Sequence, residues 1–385
     1  MTLTLFRQLI YYLPKGQFDS YVKFYKADRF VKSFDTWSHF LVLLAAQLKG
    51  WTTLREIETG FSSRENLIYH LGIKSLPKRS NLSKANYKRD YKVFESTFYD
   101  MLAYVRKNVS ESKRLRFKKD LTIFDSTVIT LSLKLFKWAT FRRDGGFKIH
   151  VGYHLQRQAP VYAKVTHGNT LDISGLDTNL EKYTNGIIVF DKGYWSLLLF
   201  QKLIDLNVVF VTRLKRAINY EYVTRKLFPS GEVKSDSIVK FMGSKSGRKF
   251  HGTLRVIKFV DKETGKEFDF LTNEYKFSPR TIAYIYKKRW EIELFFKWLK
   301  QNLRIKKYLG TSENAVNVQV WVGLTAYLLL NYVQTKCQYK GGMLNFTRIV
   351  REMLFEDIGI LEIMNDEMIS LKVKSRNKDS DQLAF

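Results

Sequence analysis

A chain of 385 residues can bury at least one substantial core and has room for two domains plus smaller pieces. Apolar residues make up 45% and aromatics 15%, which excludes a disordered chain. Lysine and arginine number 65 against 37 aspartates and glutamates, a net charge of +28 spread along the chain rather than gathered in a tail. Such a field attracts polyanions and gains free energy from released counterions. Nucleic acid is therefore the first partner to consider, an anionic membrane surface the second, and plain solubility the bland alternative. The lone Cys337 can form neither an internal disulfide nor a Cys-rich zinc site, which points to a reducing compartment. Residues 1–13 carry an early Arg7 and no small-residue cleavage pattern, so no signal peptide is expected. The longest apolar run, 316–333, is interrupted by Asn317, Gln319 and Asn331 and reads as a buried helix, not a membrane span. A soluble, cytoplasmic, bacterial and nucleoid-associated protein is expected.

In chain order, the first hundred or so residues read as helical. Apolar spacing predicts a helix over 34–50, with Gly50 as its stop, then short helices at 53–60 and 63–70 ending near Gly72. Pro77 precedes a basic stretch, 78–92, that leads into a helix at 93–107. Short helices with clustered cations suit duplex DNA. Solvated cationic faces on helices that merely pack together are the alternative. Residues 108–120 are polar and basic, a linker or a phosphate-tracking segment.

The texture then changes to strands at 121–124, 147–155 and 161–166, with a helix at 172–182, a strand at 186–190, a helix at 194–206 and a strand at 208–212. That alternation predicts a mixed α/β sheet with helices packed on it. Residues 215–272 read as a β-rich insertion, with strands at 220–227, 237–242, 253–260 and 267–271. A long helix is expected over 278–303, with Ser278 as N-cap and Pro279 in its first turn, then helices at 314–334 and 346–355 and a frayed end at 374–385. No internal repeat is visible.

Three carboxylates stand out. Asp125 ends the run Leu-Thr-Ile-Phe, and Asp191 ends Ile-Ile-Val-Phe. A carboxylate at the end of a buried strand has a rigid seat, and ligand groups gather at strand ends in α/β sheets. A single aspartate so placed is usually a turn or helix cap; two in one sheet favour a site. Stepping about 100° per residue along 278–303 puts Tyr286, Arg289, Glu293, Lys297 and Lys300 on one face, with Ile285, Ile292, Phe295, Phe296, Leu299 and Leu303 on the other. A solvated face with salt pairs is the alternative, and the two aspartates weigh against it.

Cutting DNA places charge on a phosphorus already ringed by anionic oxygens. Two divalent cations roughly 4 Å apart can activate the attacking water and stabilise the leaving oxygen. Carboxylates suit such hard ions. Arg289, Lys297 and Lys300 then suit neighbouring phosphates, and Tyr286 and Trp290 lie near enough to stack on a displaced base. His150 and His154 share a strand face without visible partners, and a structural role is the simpler reading. Phosphate-binding glycine loops are absent, which disfavours ATP or GTP hydrolysis.

Tyr286, Arg289, Glu293 and Lys300, with two, three and six residues between them, resemble the tyrosine-arginine-glutamate-lysine signature of DDE transposases from the insertion-sequence-four-like group. The flanking Tyr-Lys-Lys-Arg-Trp-Glu-Ile-Glu-Leu-Phe-Phe-Lys-Trp-Leu-Lys is similar throughout, as are Phe-Asp-Ser-Thr at Asp125, Phe-Asp-Lys-Gly-Tyr at Asp191 and Phe-Val-Thr-Arg-Leu-Lys at 210–215. The resemblance implies a ribonuclease-H-like catalytic core interrupted by a β insertion between the second Asp and the Glu. It implies five stretches: an end-binding helical domain at 1–110, core at 111–214 and 276–310, the insertion at 215–275, and C-terminal helices at 311–385, expected to dimerise. It also implies magnesium, with manganese as substitute and two ions per site, held by Asp125, Asp191 and Glu293. Tyr286, Arg289 and Lys300 would hold the cut strand. Double-stranded DNA, as transposon ends and target, would be the partner of a homodimer assembled for cut-and-paste movement, with no membrane involved. Relatives that pass through a DNA hairpin trap a flipped base on an aromatic of the insertion, often Trp. Residues 215–272 contain none, leaving Phe241, Phe250, Tyr222 or Trp290 as substitutes. A stand-alone nuclease of the same fold and a DNA-binding derivative without catalysis are the competing expectations.

Overall fold

The computed structural model describes residues 3–109, 118–141, 144–215, 218–241, 250, 252–302, 308–360 and 362. The linker cations Lys113, Arg114 and Arg116, Leu303 of the expected helix seam and the tail from Lys374 lie outside the described residues. Seven helices open the described chain: α1 (Leu5–Ile10), α2 (Lys15–Phe24), α3 (Thr36–Lys49), α4 (Leu54–Ser62), α5 (Glu65–Ile68), α6 (Arg79–Lys88) and α7 (Lys92–Asn108). Strands β1 (Leu121–Leu131), β2 (Thr140–Phe141), β3 (Asp144–His154) and β4 (Ala159–His167) follow, then two 3-10 turns, η1 (Asp172–Gly175) and η2 (Leu180–Tyr183). Next come β5 (Ile187–Phe190), the turn η3 (Lys192–Tyr194), α8 (Leu197–Asp205) and β6 (Val209–Arg213). The insertion holds β7 (Tyr220–Leu227), β8 (Val233–Phe241), β9 (Leu254–Val260) and β10 (Glu267–Thr272). Helices α9 (Pro279–Lys287), α10 (Trp290–Asn302), α11 (Glu313–Lys336) and α12 (Met343–Met353) complete it.

Two compact units result, one of Met1–Ser110, Leu131–Ala139 and Lys297–Phe385, the other of Glu111–Thr130 and Thr140–Phe296. The second is built on one sheet, ordered β2-β3-β1-β5-β6-β10-β9-β8-β7, with β4 paired to β3. Strands β1, β5 and β6 run parallel. The stretch β4-β3-β1-β5-β6 is the strand order of a ribonuclease-H-like core. Strand β10 pairs antiparallel with β6, so the insertion lengthens the same sheet instead of forming a separate body.

Of the elements that differ from expectation, three bear on the site. Strand β1 runs on to Leu131 because Thr127, Val128, Ile129 and Thr130 are β-branched; Asp125 lies within a strand, at the level where its partner β5 ends. The helix expected over 172–182 is two 3-10 turns. Asp177 accepts from the Asn179 amide (3.1 Å) and the Tyr183 hydroxyl (2.9 Å), side-chain bonds that compete with a continuous helix. The long helix after the insertion stops at Lys287, turns at Lys288 and Arg289, and restarts at Trp290. Its start is as expected, with the Ser278 hydroxyl accepting from the Thr281 amide (3.2 Å).

In the first unit, Asp35 caps α3 by accepting from the Ser38 amide (2.8 Å), and Gly50 closes it at φ 73°, where a side chain would be strained. Helix α11 is long and apolar enough to cross a membrane, yet 94% of that stretch is buried inside the protein, against α3, α6, α7 and α12. It is a core helix. Trp321 at its centre is 1% exposed, and Trp321→Ala should cost about 3–5 kcal/mol in urea unfolding.

His39 of α3 is fully buried, with Nε2 against the Asn86 amide oxygen (2.8 Å) and the ring edge-on to Phe94. Burial first, then the nearby Arg89, pushes its imidazole down to about 3, so the folded chain holds it neutral. The unfolded chain takes up that proton below about pH 6.5. Stability should therefore hold above that pH and fall by about 1.4 kcal/mol per unit below it, towards pH 3. His39→Gln should flatten this acid limb in denaturation curves; an unchanged slope would contradict the assignment.

Candidate active site

Apolar side chains set the position of the two aspartates. Phe124 and Phe190 are register partners on the parallel strands β1 and β5, and both are buried in the core of the sheet unit. Side chains alternate along strands, so the next residue in each turns to the opposite face. Those residues are Asp125 and Asp191, at one level on strands about 4.8 Å apart. Asp191 stands before η3 but its side chain does not cap that turn, so the ordinary explanation for such an aspartate does not apply.

Glu293 lies in the first turn of α10, and the turn before that helix presents Arg289. Its guanidinium donates from Nη1 to Asp125 Oδ2 (2.8 Å) and from Nη2 to Glu293 Oε1. The other oxygen of Asp125 accepts from the Ser126 amide (2.8 Å). Burial pushes the Asp125 carboxyl up to about 6 despite Arg289 and the Ser126 amide, and the negative charges of Asp191 and Asp172 add to the rise.

Asp172 of η1 had no signal in the sequence. Its Oδ1 accepts from Ser126 Oγ (2.6 Å) and Lys148 Nζ (3.0 Å). Burial opposes its ionisation, but Ser126 and Lys148 outweigh burial and hold the carboxyl below its ordinary value. Tyr194, 1% exposed, lies within electrostatic reach of Asp125, Asp172 and Asp191, and its hydroxyl has no hydrogen-bond partner among the described residues.

The remaining candidates sort by exposure. Tyr286 is 8% exposed and its ring packs on Phe270 (5.2 Å between centroids), so it walls the site and offers no face to a displaced base. Trp290 is 60% exposed and can stack. Lys297 and Lys300 are exposed one and two turns beyond Glu293, while Ile292, Phe295, Phe296 and Leu299 form the buried seam. Phe241 and Phe250 are core residues, which removes them as base traps; Tyr222 is 41% exposed on β7. His150 and His154 are buried, with His150 Nε2 at 2.9 Å from the Thr166 hydroxyl and His154 near Asp120.

Chemically the donor set is oxygen only, which suits a hard divalent cation. An uncommitted Asp191, an Asp125 carboxyl raised in part by neighbouring anions, and an orphaned Tyr194 hydroxyl fit a site that takes up positive charge. Among the described residues, however, no three acidic, histidine or cysteine side chains stand close enough to hold an ion as they are. Arg289 supplies the positive charge between Asp125 and Glu293 instead.

Comparison with known proteins agrees with this geometry. The transposase DDE domain family matches residues 116–329, more than half the chain, and a domain of unknown function matches 1–74. A putative transposase, y4zB, of Sinorhizobium fredii is 31% identical over 294 residues, 74% of this chain and 80% of that protein. The probable transposase of insertion sequence element IS5377 from Geobacillus stearothermophilus is 32% identical over 241 residues, covering 60% and 62% of the two chains. A putative transposase for element IS4SA of Synechocystis is 28% identical over 294 residues, covering 74% and 81%. The chain belongs to the DDE transposases of bacterial insertion sequences, enzymes that cut and join DNA with the help of divalent metal.

Proposed function

We propose that Asp125, Asp191 and Glu293 together hold the cations of transposition, magnesium with manganese as a substitute, two per site. The observation that carries this reading is the level placement of Asp125 and Asp191 on adjacent parallel strands, with Glu293 joined to Asp125 through one guanidinium. Bound there, the ions supply Lewis-acid activation of the attacking water and charge neutralisation at the leaving oxygen. Arg289 clamps a phosphate beside the cut by paired N–H contacts, Lys297 and Lys300 follow the strand, and Trp290 stacks on a displaced base. Tyr286 keeps its ring in the core and holds the wall behind Arg289.

In this reading residues 1–110 bind the terminal inverted repeats, 111–214 and 276–310 carry the catalytic core, 215–275 form the insertion, and 311–385 join two copies on paired ends. The enzyme works on chromosomal and element DNA in the bacterial cytoplasm. The test is incubation of the protein with labelled element ends, a target plasmid and magnesium. Excised and joined products, both lost with a chelator, are expected. Cutting without joining would identify a stand-alone nuclease, and binding without cutting a non-catalytic DNA-binding protein.

A further inference from the structure

Asp172 occupies a seat that several parts of the sheet unit combine to make. Lys148 of β3 donates to its Oδ1 (3.0 Å) and to the Thr170 carbonyl (2.7 Å), and the side chain of Lys148 is only 12% exposed. Ser126 donates its hydroxyl to the same Oδ1 (2.6 Å) while its amide donates to Asp125 (2.8 Å), so one residue ties the two aspartates together. Space has been left for the arrangement. A Cβ on Gly193, two residues after Asp191, would fall 2.6 Å from Asp172 Oδ2. A Cβ on Gly175, at the other end of η1, would fall 2.0 Å from the ring of the buried His150.

A half-buried Lys–Asp pair returns little stability, because desolvating both charges offsets most of their attraction. An apolar pair of the same volume would serve packing as well. What the pair does secure is an ionised carboxylate whose Oδ2, lying beside Gly193, accepts no hydrogen bond from a described residue. The buried hydroxyl of Tyr194, also without a partner, lies within reach of the same three aspartates.

From this we infer that Asp172 is a positioning residue for DNA cleavage, which holds the Asp125–Ser126 segment in place and adds a fixed negative charge that strengthens cation binding. The inference rests on the assignment of Asp125, Asp191 and Glu293 as the metal-holding set. Residues that orient metal ligands in this way typically change metal affinity by about 10–100-fold when altered.

Asp172→Asn tests it, since the amide keeps an acceptor for Ser126 and Lys148 and removes only the charge. Manganese binding to the full-length protein on uncleaved end DNA, where Arg289 is free to leave Asp125 and Glu293 for a phosphate, is read by the loss of the free-ion electron paramagnetic resonance signal beyond that caused by the DNA alone. Binding should weaken by about tenfold. The magnesium concentration for half-maximal end cleavage should rise in parallel, with cleavage largely restored at saturating metal. A folded Asp172→Asn protein that binds manganese like the wild type would overturn the inference. If thermal melting finds that variant unfolded, Ser126→Ala takes its place: it leaves the charge and removes the tie to Asp125, and should weaken manganese binding by about tenfold. Unchanged binding and cleavage in Ser126→Ala would equally overturn it. A wild-type protein that takes up no manganese, or that keeps its manganese in Glu293→Gln, would instead indict the three-carboxylate assignment itself.

Discussion

Changing Glu293 to glutamine should slow end cleavage by at least about a thousandfold, a loss of roughly 4 kcal/mol of transition-state stabilisation, while binding of the same DNA ends stays equal or tightens. Glutamine keeps the volume and an oxygen that can accept from Arg289, so the turn before α10 keeps its hydrogen bond. The substituted side chain is 34% exposed and sits outside the packed seam of Ile292, Phe295, Phe296 and Leu299, so folding should be little affected. What disappears is one negative charge from a set whose purpose is to hold positive ions beside a phosphodiester. DNA binding rests on cations elsewhere and gains from losing a like charge. A denaturing gel of labelled ends reads the first quantity and a mobility shift the second. Cutting at the wild-type rate would refute the role given to Glu293.

The second large effect is on salt. With +28 net charge, the chain should neutralise many phosphates at once. A protein making about 6–10 phosphate contacts loses roughly 10³–10⁵ in affinity between about 50 and 200 mM monovalent salt. Titration of end DNA across that range should give a steep linear fall of log affinity against log salt. A flat response would mean that the cations serve solubility and that recognition comes from other contacts.

Much of this molecule was legible before any coordinates, for physical reasons that also explain the gaps. Asp125 and Asp191 follow buried apolar runs of equal length, and parallel pairing of two such runs brings their ends level. Glu293 lies on a helix whose apolar seam is unambiguous. The helical wheel assumed one continuous helix; the turn at Lys288 and Arg289 interrupts it, and although the Arg289 guanidinium still lies 6.0 Å over the Tyr286 ring, that ring is buried against Phe270 while Arg289 reaches Asp125. Asp172 was missed because it sits in an irregular stretch of 3-10 turns, where no periodicity marks a buried face. Its neighbours Ser126, Lys148 and Gly193 are far apart along the chain and meet only through the sheet. The insertion was recognised as β structure, but pairing of β10 with β6 is a long-range event that no local pattern announces.

The most direct measurement is the anomalous scattering of manganese in crystals of the protein bound to a cleaved element end. Density held by oxygens of Asp125, Asp191 and Glu293 is expected, with Arg289 released from both carboxylates and facing the DNA backbone. Manganese bound elsewhere, or a guanidinium still bridging Asp125 and Glu293 in a complex competent to cut, would contradict it.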